Sequence, residues 1–183
     1  MTTATKLMTA DELLALPDDD LRHELLDGVL TSMSPTGWTH GKVVARFAYT
    51  LIAFVDAHDL GLVLTGDVGV ILRRNPDRVR APDICFIARG RLPDEVPPSG
   101  YGELIPDFVV EVVSPNDRVA KVRAKIEEWL RAGVKLAWAV YPKSSSVVAR
   151  REDGPSKRYG KQDTIDAEPV LPGFSVRVAE LFQ

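Results

Sequence analysis

The sequence predicts an α/β or α+β fold, a central mixed β-sheet flanked by helices, on three observations. Asp107 to Val113 (DFVVEVV) is almost wholly apolar except for Glu111 and reads as a central strand buried on both faces. After it, Val119, Val122, Ile126, Trp129 and Leu130 recur at helical spacing up to about Ala132, where Gly133 closes the run. Leu136 to Tyr141 is a second buried strand, so 107–141 forms a strand–helix–strand unit suited to the middle of a mixed sheet.

The other elements follow in chain order. Thr9 is placed as an N-cap with Glu12 completing a capping box before Leu13, Leu14 and Leu16, and Pro17 stops this short helix. Asp27-Gly28 lies between apolar pairs, the signal of a tight hairpin turn, which puts Glu24 on a short strand just before it. From about Gly41 to Ala57 the apolar residues again fall at helical spacing, with Gly61 ending the run. Leu62 to Leu72 and Val79 to Ala88 read as two strands joined by an Arg-Asn-Pro-Asp turn. Arg89 to Pro106, rich in Pro and Gly, reads as an exposed loop. Ser114-Pro115-Asn116 offers cap residues for the helix of the strand–helix–strand unit. A strand over Ser145 to Arg150 and a strand-and-turn tail reaching Leu171-Pro172-Gly173-Phe174 complete the chain.

With 183 residues, 45% of them hydrophobic and 27% charged, the chain is expected to form one globular domain over 1–183. The single cysteine, Cys85, excludes an internal disulfide and a cysteine zinc cage. The amino terminus has one lysine and no long apolar run, so no secretory signal is expected there. No stretch approaches the roughly 18 apolar residues of a membrane span. A cytoplasmic, membrane-free location is the expectation. A net charge of −3 argues against coating nucleic acid by bulk electrostatics. Two local basic segments remain, Arg73, Arg74, Arg78 and Arg80, then Arg118, Lys121, Arg123 and Lys125, each of which also reads as a solvated charged face.

Glu111 among four valines cannot stay ionised and alone; it needs a cation, a metal or a proton. Asp83, between Pro82 and Ile84-Cys85-Phe86-Ile87, poses the same problem. Two carboxylates about 4 Å apart repel by roughly 4 kcal/mol at an effective dielectric near 20, and a divalent cation reverses the sign. Hard oxygen ligands without a histidine cluster select Mg²⁺ or Mn²⁺. The alternative is that each acid pairs with an arginine such as Arg80 or Arg123. Ser114 lacks the Gly-X-Ser-X-Gly context of a hydrolase elbow, and His23, His40 and His58 lack metal-ligand spacing. Cys85 reads as core, and Trp38, Trp129 and Trp138 read as packing residues rather than base-stacking platforms.

Ala81-Pro82-Asp83 followed by Glu111 in the next apolar strand resembles the Pro-Asp…(Asp/Glu)-X-Lys arrangement of the restriction-endonuclease superfamily. The ordered series extends further, through Thr9 to Leu16, Glu24-Leu25-Leu26-Asp27-Gly28, Met33-Ser34-Pro35, His40-Gly41 and Arg80-Ala81-Pro82-Asp83. It continues through Pro106-Asp107, Val110 to Pro115, Lys125, Trp129, Ala132 to Val134 and Pro169 to Phe174. This series is similar to that of one bacterial branch, the Uma-two family, over nearly the whole chain.

The resemblance implies a restriction-endonuclease-like core and hydrolysis of DNA phosphodiesters with Mg²⁺ or Mn²⁺. It places Asp83, Glu111 and the Val112 carbonyl on the metal, and adds Glu24 to the acidic cluster. The motif lysine is absent two residues after Glu111, where Val113 stands. Lys125 matches the family position on the following helix, with Lys121 one turn earlier on nearly the same face. His40 is expected either to touch substrate phosphate or to cap its helix, and Arg80, Arg118 and Lys121 to hold the DNA backbone. A homodimer is expected, since one site cuts one strand. Three alternatives stand beside this reading: a nucleic-acid-binding module without the chemistry, a metal-dependent hydrolase of small phosphate esters, and a structural domain with arginine-paired acids.

Overall fold

The computed structural model describes residues 7–93, 96–115 and 117–183. The expected cap residue Asn116, part of the 89–106 loop and the first six residues of the amino-terminal stretch considered for a signal lie outside these residues.

Helix α1 (Ala10–Leu14) starts at the expected capping box: the Glu12 amide donates to Thr9 Oγ1 at 3.1 Å, and the Thr9 amide donates to Glu12 Oε2 at 2.9 Å. Strands β1 (Arg22–Leu26) and β2 (Val29–Met33) form the expected hairpin. Its two turn residues both take positive φ, 55° at Asp27 and 78° at Gly28, the conformation whose twist matches the flanking strands.

Helix α2 (Trp38–His58) begins three residues before the expected Gly41 and ends on Asp59 in the left-handed region, ahead of Gly61. Its first turn is missing from the apolar pattern because Trp38 and Thr39 are exposed. Trp38 is 96% exposed, which overturns its assignment to packing; Trp129 and Trp138 are fully buried, as packing residues are.

The two long strands expected at 62–72 and 79–88 are four short ones. Strand β3 (Gly61–Thr65) belongs to one sheet and β4 (Val70–Arg73) to another. Likewise β5 (Arg78–Arg80) and β6 (Ile84–Ala88) lie in different sheets, with Ala81-Pro82-Asp83 crossing between them. Pro82 has no amide hydrogen for a ladder, and the Ala81 amide turns instead to Glu24 Oε1 at 3.2 Å. The segment from 89 to 106 is irregular where described, but not free: Leu92 is buried, and Gly102 bridges to Val70.

Strand β7 (Phe108–Val112), helix α3 (Val119–Arg131) and strand β8 (Leu136–Tyr141) make the expected unit, with β7 and β8 parallel. The helix begins later than Ser114–Asn116, with Arg118 at its N-cap and no side-chain cap, and the Ser114 amide ahead of it donates to the Asp117 carboxylate at 2.7 Å. Strands β9 (Ser146–Arg151) and β10 (Lys157–Tyr159) extend the sheet, and β11 (Thr164–Asp166) and β12 (Ser175–Arg177) form a separate hairpin.

The large sheet therefore runs β10-β9-β8-β7-β6-β3 and is mixed, its only parallel pair being β7–β8; the small antiparallel sheet runs β2-β1-β5-β4. Alternation along β7 decides which residue meets which layer. Phe108, Val110 and Val112 pack with α2 (Val43, Phe47, Leu51) and the carboxy-terminal tail. Val109 joins the opposite layer with α3 residues Ile126, Trp129 and Leu130, and Glu111 shares that face. Its neighbour across β8 is Ala139, whose small side chain leaves room for a carboxylate. Helix α1 covers the small sheet through Ala10 and Leu13 against Leu25, Ile71 and Val79. Among the described residues no helix is long and apolar enough to cross a membrane.

Candidate active site

The junction of the two sheets gathers charged side chains from five parts of the chain. Strand β1 points Arg22 and Glu24, two residues apart and so on one face, towards the Ala81–Asp83 crossover. Strand β7 supplies Glu111. Helix α3 supplies Lys125, Glu128 and Trp129, whose i, i+3, i+4 spacing makes them neighbours. Helix α2 brings in His40.

Lys125 is the centre of this cluster. Its Nζ lies 3.0 Å from Glu24 Oε1, 3.0 Å from both Glu111 oxygens and 3.1 Å from the Ala81 carbonyl oxygen. Glu111 also accepts a 2.7 Å hydrogen bond from Trp129 Nε1. Asp83 accepts from the Val112 amide at 2.6 Å and from Arg22 at 3.1 Å, and His40 Nε2 stands 3.4 Å from the same oxygen as Arg22. Arg22 also donates to the Ala81 carbonyl and pairs with Asp67 at 2.9 Å. Arg80 is held between Glu24 and Glu128.

The two acids expected to act together are driven in opposite directions. Burial alone would raise the Asp83 carboxyl; the hydrogen bond and charge of His40, with the charges of Arg22 and Lys125, outweigh it and hold the group at about 2. Burial pushes Glu111 up to about 7 against the pull of Lys125, and the charges of Asp83 and Glu24 push the same way. For Glu24, Lys125 and Arg80 outweigh the burial and keep it below the usual carboxylate range. Burial would lower Lys125, but Glu111 and Glu24 reverse that and keep it an ammonium. Asp83 is thus a fixed anion beside a carboxyl poised near neutrality.

Of the residues singled out in the sequence, Glu24, Arg80, Asp83, Glu111, Val112 and Lys125 meet here, and His40 with them. His40 does not cap its helix: Gly37 is the N-cap, without a side-chain bond, and His40 is buried against Asp83 and Ser114 Oγ, the latter at 3.3 Å. Arg118 and Lys121 are exposed, with no ion pair among the described residues, and do not touch the cluster. The other basic segment is neutralised internally: Arg73 pairs with Asp27, Arg74 with Asp77 and Glu103, and Arg78 with Asp27 and Glu128. Asp83 pairs with Arg22 and His40, and Glu111 with Lys125, so neither Arg80 nor Arg123 is their partner. Arg22, Glu128 and the Trp129 indole were not foreseen as site residues. A period-two relation of Arg22 to Glu24, and a helical one of Glu128 and Trp129 to Lys125, were the available signals. Cys85, buried and pushed up to about 12, is a core thiol.

The donor chemistry fits a hard divalent ion in part. Among the described residues, no three acidic, histidine or cysteine side chains are already gathered as a ligand set. Mg²⁺, however, is commonly held by one or two carboxylates with waters and substrate phosphates. The rise at Glu111 comes first from burial and then from the charges of Asp83 and Glu24, and a cation beside it would oppose them. A cleft of about 180 Å³ opens beside Asp83, lined in part by Arg22, Ser34, Thr36, His40 and Thr65.

A mixed sheet with Glu111 on a central strand, Asp83 at the entry to the neighbouring one, and a lysine delivered by the helix between the two parallel strands, defines a restriction-endonuclease-like fold. The chain belongs to the Uma2 family, described as putative restriction endonucleases, whose model matches residues 10–179. A crystal structure described as a putative nuclease belonging to DUF820 from Anabaena variabilis ATCC 29413 has the same fold. Its TM-score is 0.82 at 19% identity, over 96% of this chain and 97% of that one. No curated protein matches the sequence.

Proposed function

We propose that this protein is a metal-dependent endonuclease that hydrolyses DNA phosphodiester bonds at the Asp83–Glu111–Lys125 cluster. The observation that carries the reading is that Lys125 joins Glu24 and Glu111 from separate elements and bonds the Ala81 carbonyl, with Asp83 on the adjoining Val112 amide. Membership of a family described as putative restriction endonucleases supports the substrate class.

Asp83 and Glu111, with the Val112 carbonyl, would hold Mg²⁺ or Mn²⁺. When bound, the ion lowers the pKa of a coordinated water and polarises the phosphate. The protein's own groups do the rest. Lys125 presents a permanent ammonium where negative charge develops on the phosphorane oxygens. Trp129 and Lys125 fix the Glu111 carboxylate from two sides. His40 faces the cleft beside Asp83, within the space a phosphate would enter. Glu24 steadies Lys125 from the small sheet. Cutting both strands of a duplex would take two such sites, which a homodimer would supply.

Arg22 favours a second reading. Its guanidinium already occupies Asp83 Oδ1, so the acids would be partners of internal cations and the domain a binding or structural one. Calorimetric titration of Mn²⁺ into the protein, beside Asp83→Asn and Glu111→Gln, decides between them. Heat in the native protein that both variants lose is the expected result, followed by cleavage in a screen of DNA and RNA substrates. No heat at millimolar Mn²⁺ leaves the second reading in place.

A further inference from the structure

The basic surface that would hold a nucleic-acid strand is not the 73–80 segment, whose arginines are all paired. The outer face of α2 differs. Trp38, Lys42, Arg46 and Tyr49 are exposed, and steps of 4, 4 and 3 residues align them along about 16 Å of helix. Lys42 and Arg46 make no ion pair among the described residues, although nearly every arginine on the small sheet does. Trp38 is the largest side chain in the molecule left bare, at 96% exposure, and Tyr49 follows at 68%. An exposed indole and phenol interleaved with unpaired cations is the composition of a single-strand platform: aromatic faces for bases, cations for phosphates.

This face is continuous with the cleft. Thr36, two residues before Trp38, and Gly41, three residues after it and so its neighbour on the helix surface, both line the cleft. Gly41 has nothing within 4 Å of where a Cβ would stand. The helix surface between the cleft and Trp38 is therefore unobstructed. A duplex buries the faces of its bases and has none to offer an indole, whereas a single or splayed strand has one at every nucleotide.

We propose that the outer face of α2 carries a single nucleic-acid strand leading out of the cleft at Asp83, with Trp38 stacked on a base and Lys42 and Arg46 on phosphates. This rests on the nucleic-acid reading above and adds the form of the substrate: unpaired, with the stacked base a short distance from the phosphate in the cleft.

The burial pattern supplies the test. Trp129 and Trp138 are fully buried, so the solvent-exposed component of tryptophan emission belongs to Trp38. The protein, held in chelator so that nothing is cut, is titrated with a short oligothymidylate and with a blunt duplex of equal length. The expected result is quenching of the exposed component by the single strand, at lower concentration than by the duplex. Trp38→Ala should weaken single-strand binding roughly 5- to 150-fold, read by anisotropy of a labelled strand, and Trp38→Phe should recover most of it. Lys42→Ala and Arg46→Ala should each flatten the log-affinity against log-salt slope by about 0.7. Trp38 is so exposed that its replacement leaves the core untouched.

Three results overturn the proposal. The strand binds but neither the emission nor the Trp38→Ala affinity moves; or the duplex binds as tightly as the strand; or Trp38 is already shielded in a concentration-dependent way, which places a second copy of the chain on this face. The first two leave the nuclease reading standing, because Mn²⁺ heat and cleavage do not pass through Trp38.

Discussion

Replacing Lys125 by Met keeps the length of the side chain and removes its charge, and the structure sets what this should cost. Nζ is 3.0 Å from an oxygen of Glu24 and 3.0 Å from one of Glu111, so those oxygens lie at most about 6 Å apart. With the ammonium gone, two ionised carboxylates at that distance repel by about 3 kcal/mol at an effective dielectric near 20. Breaking a buried ion pair from one side costs about 3–5 kcal/mol in general, so the two routes agree. The ammonium lowers both carboxyls, hence Lys125→Met raises both in the folded state. A folded-state pKa above the unfolded value gives stability that is present at low pH and lost as pH rises. The deficit should therefore be largest near about pH 8 and shrink towards about pH 5. Urea unfolding followed by circular dichroism at the two pH values measures it. Lys125→Met with Glu111→Gln should recover most of the loss, because the repulsion then lacks one partner. A single variant within about 0.5 kcal/mol of the parent at pH 8, or a deficit that grows on acidification, would refute the reasoning.

Trp129→Phe removes the indole donor 2.7 Å from Glu111 and should cost about 1.5–3 kcal/mol, with Glu111 titrating higher by carbon-13 NMR; an unchanged titration would separate the indole from the carboxylate. Asp107 is held below the usual range because Lys135, the Ala88 amide and Arg91 outweigh its burial. Its contribution is thus present above the unfolded pKa and lost as pH falls through the folded one, so Asp107→Asn should flatten the acid limb of the stability curve below about pH 4. An acid limb as steep as the parent's would assign that loss elsewhere. At Gly69 a Cβ would stand 2.1 Å from the Tyr101 ring, so Gly69→Ala should lower stability by about 1–3 kcal/mol in thermal or urea unfolding. Tyr101→Ala in the same chain should abolish the difference between Gly and Ala at 69, and a persistent difference would point to the backbone instead.

What could be read from the sequence was what neighbouring residues encode. The Thr9–Glu12 box, the Asp27-Gly28 hairpin and the strand–helix–strand unit each rest on a local period or turn, and the structure contains all three. Glu111 announced itself because a carboxylate among valines cannot stay ionised without a partner. What escaped was non-local. Arg78 and Arg80 find Glu128 some 50 residues on, at separations of 50 and 48, so the basic look of 73–80 dissolves in three dimensions. Arg22 reaches Asp83 across 61 residues. Pro82 was visible, but only the change of sheet on either side of it shows that the proline ends one ladder and frees the next strand. Trp38 was misplaced because the start of α2 carries no apolar period, and without the start its facing could not be assigned.

The crossover at Ala81–Asp83 lies on the early side of the irregular 89–106 segment, and the position of that segment divides the cluster in a telling way. Before it come Arg22, Glu24, Arg80 and Asp83, which pair with one another as Arg22–Asp83 and Arg80–Glu24. After it come Glu111 and Lys125, which pair as well. Asp83 and Glu24 in the first half and Glu111 in the second each have a counter-ion from their own half, while Glu128 takes Arg78 and Arg80 from the first. As the ribosome delivers the chain, the first half can neutralise its acids before Glu111 exists, and the second brings its own cation within 14 residues. Only then do Lys125–Glu24, Arg80–Glu128 and the Val112–Asp83 hydrogen bond join the halves. The cluster is thus two half-sockets, in which Asp83 and Glu111 each find a counter-ion from their own half and Glu128 finds its cations across the join.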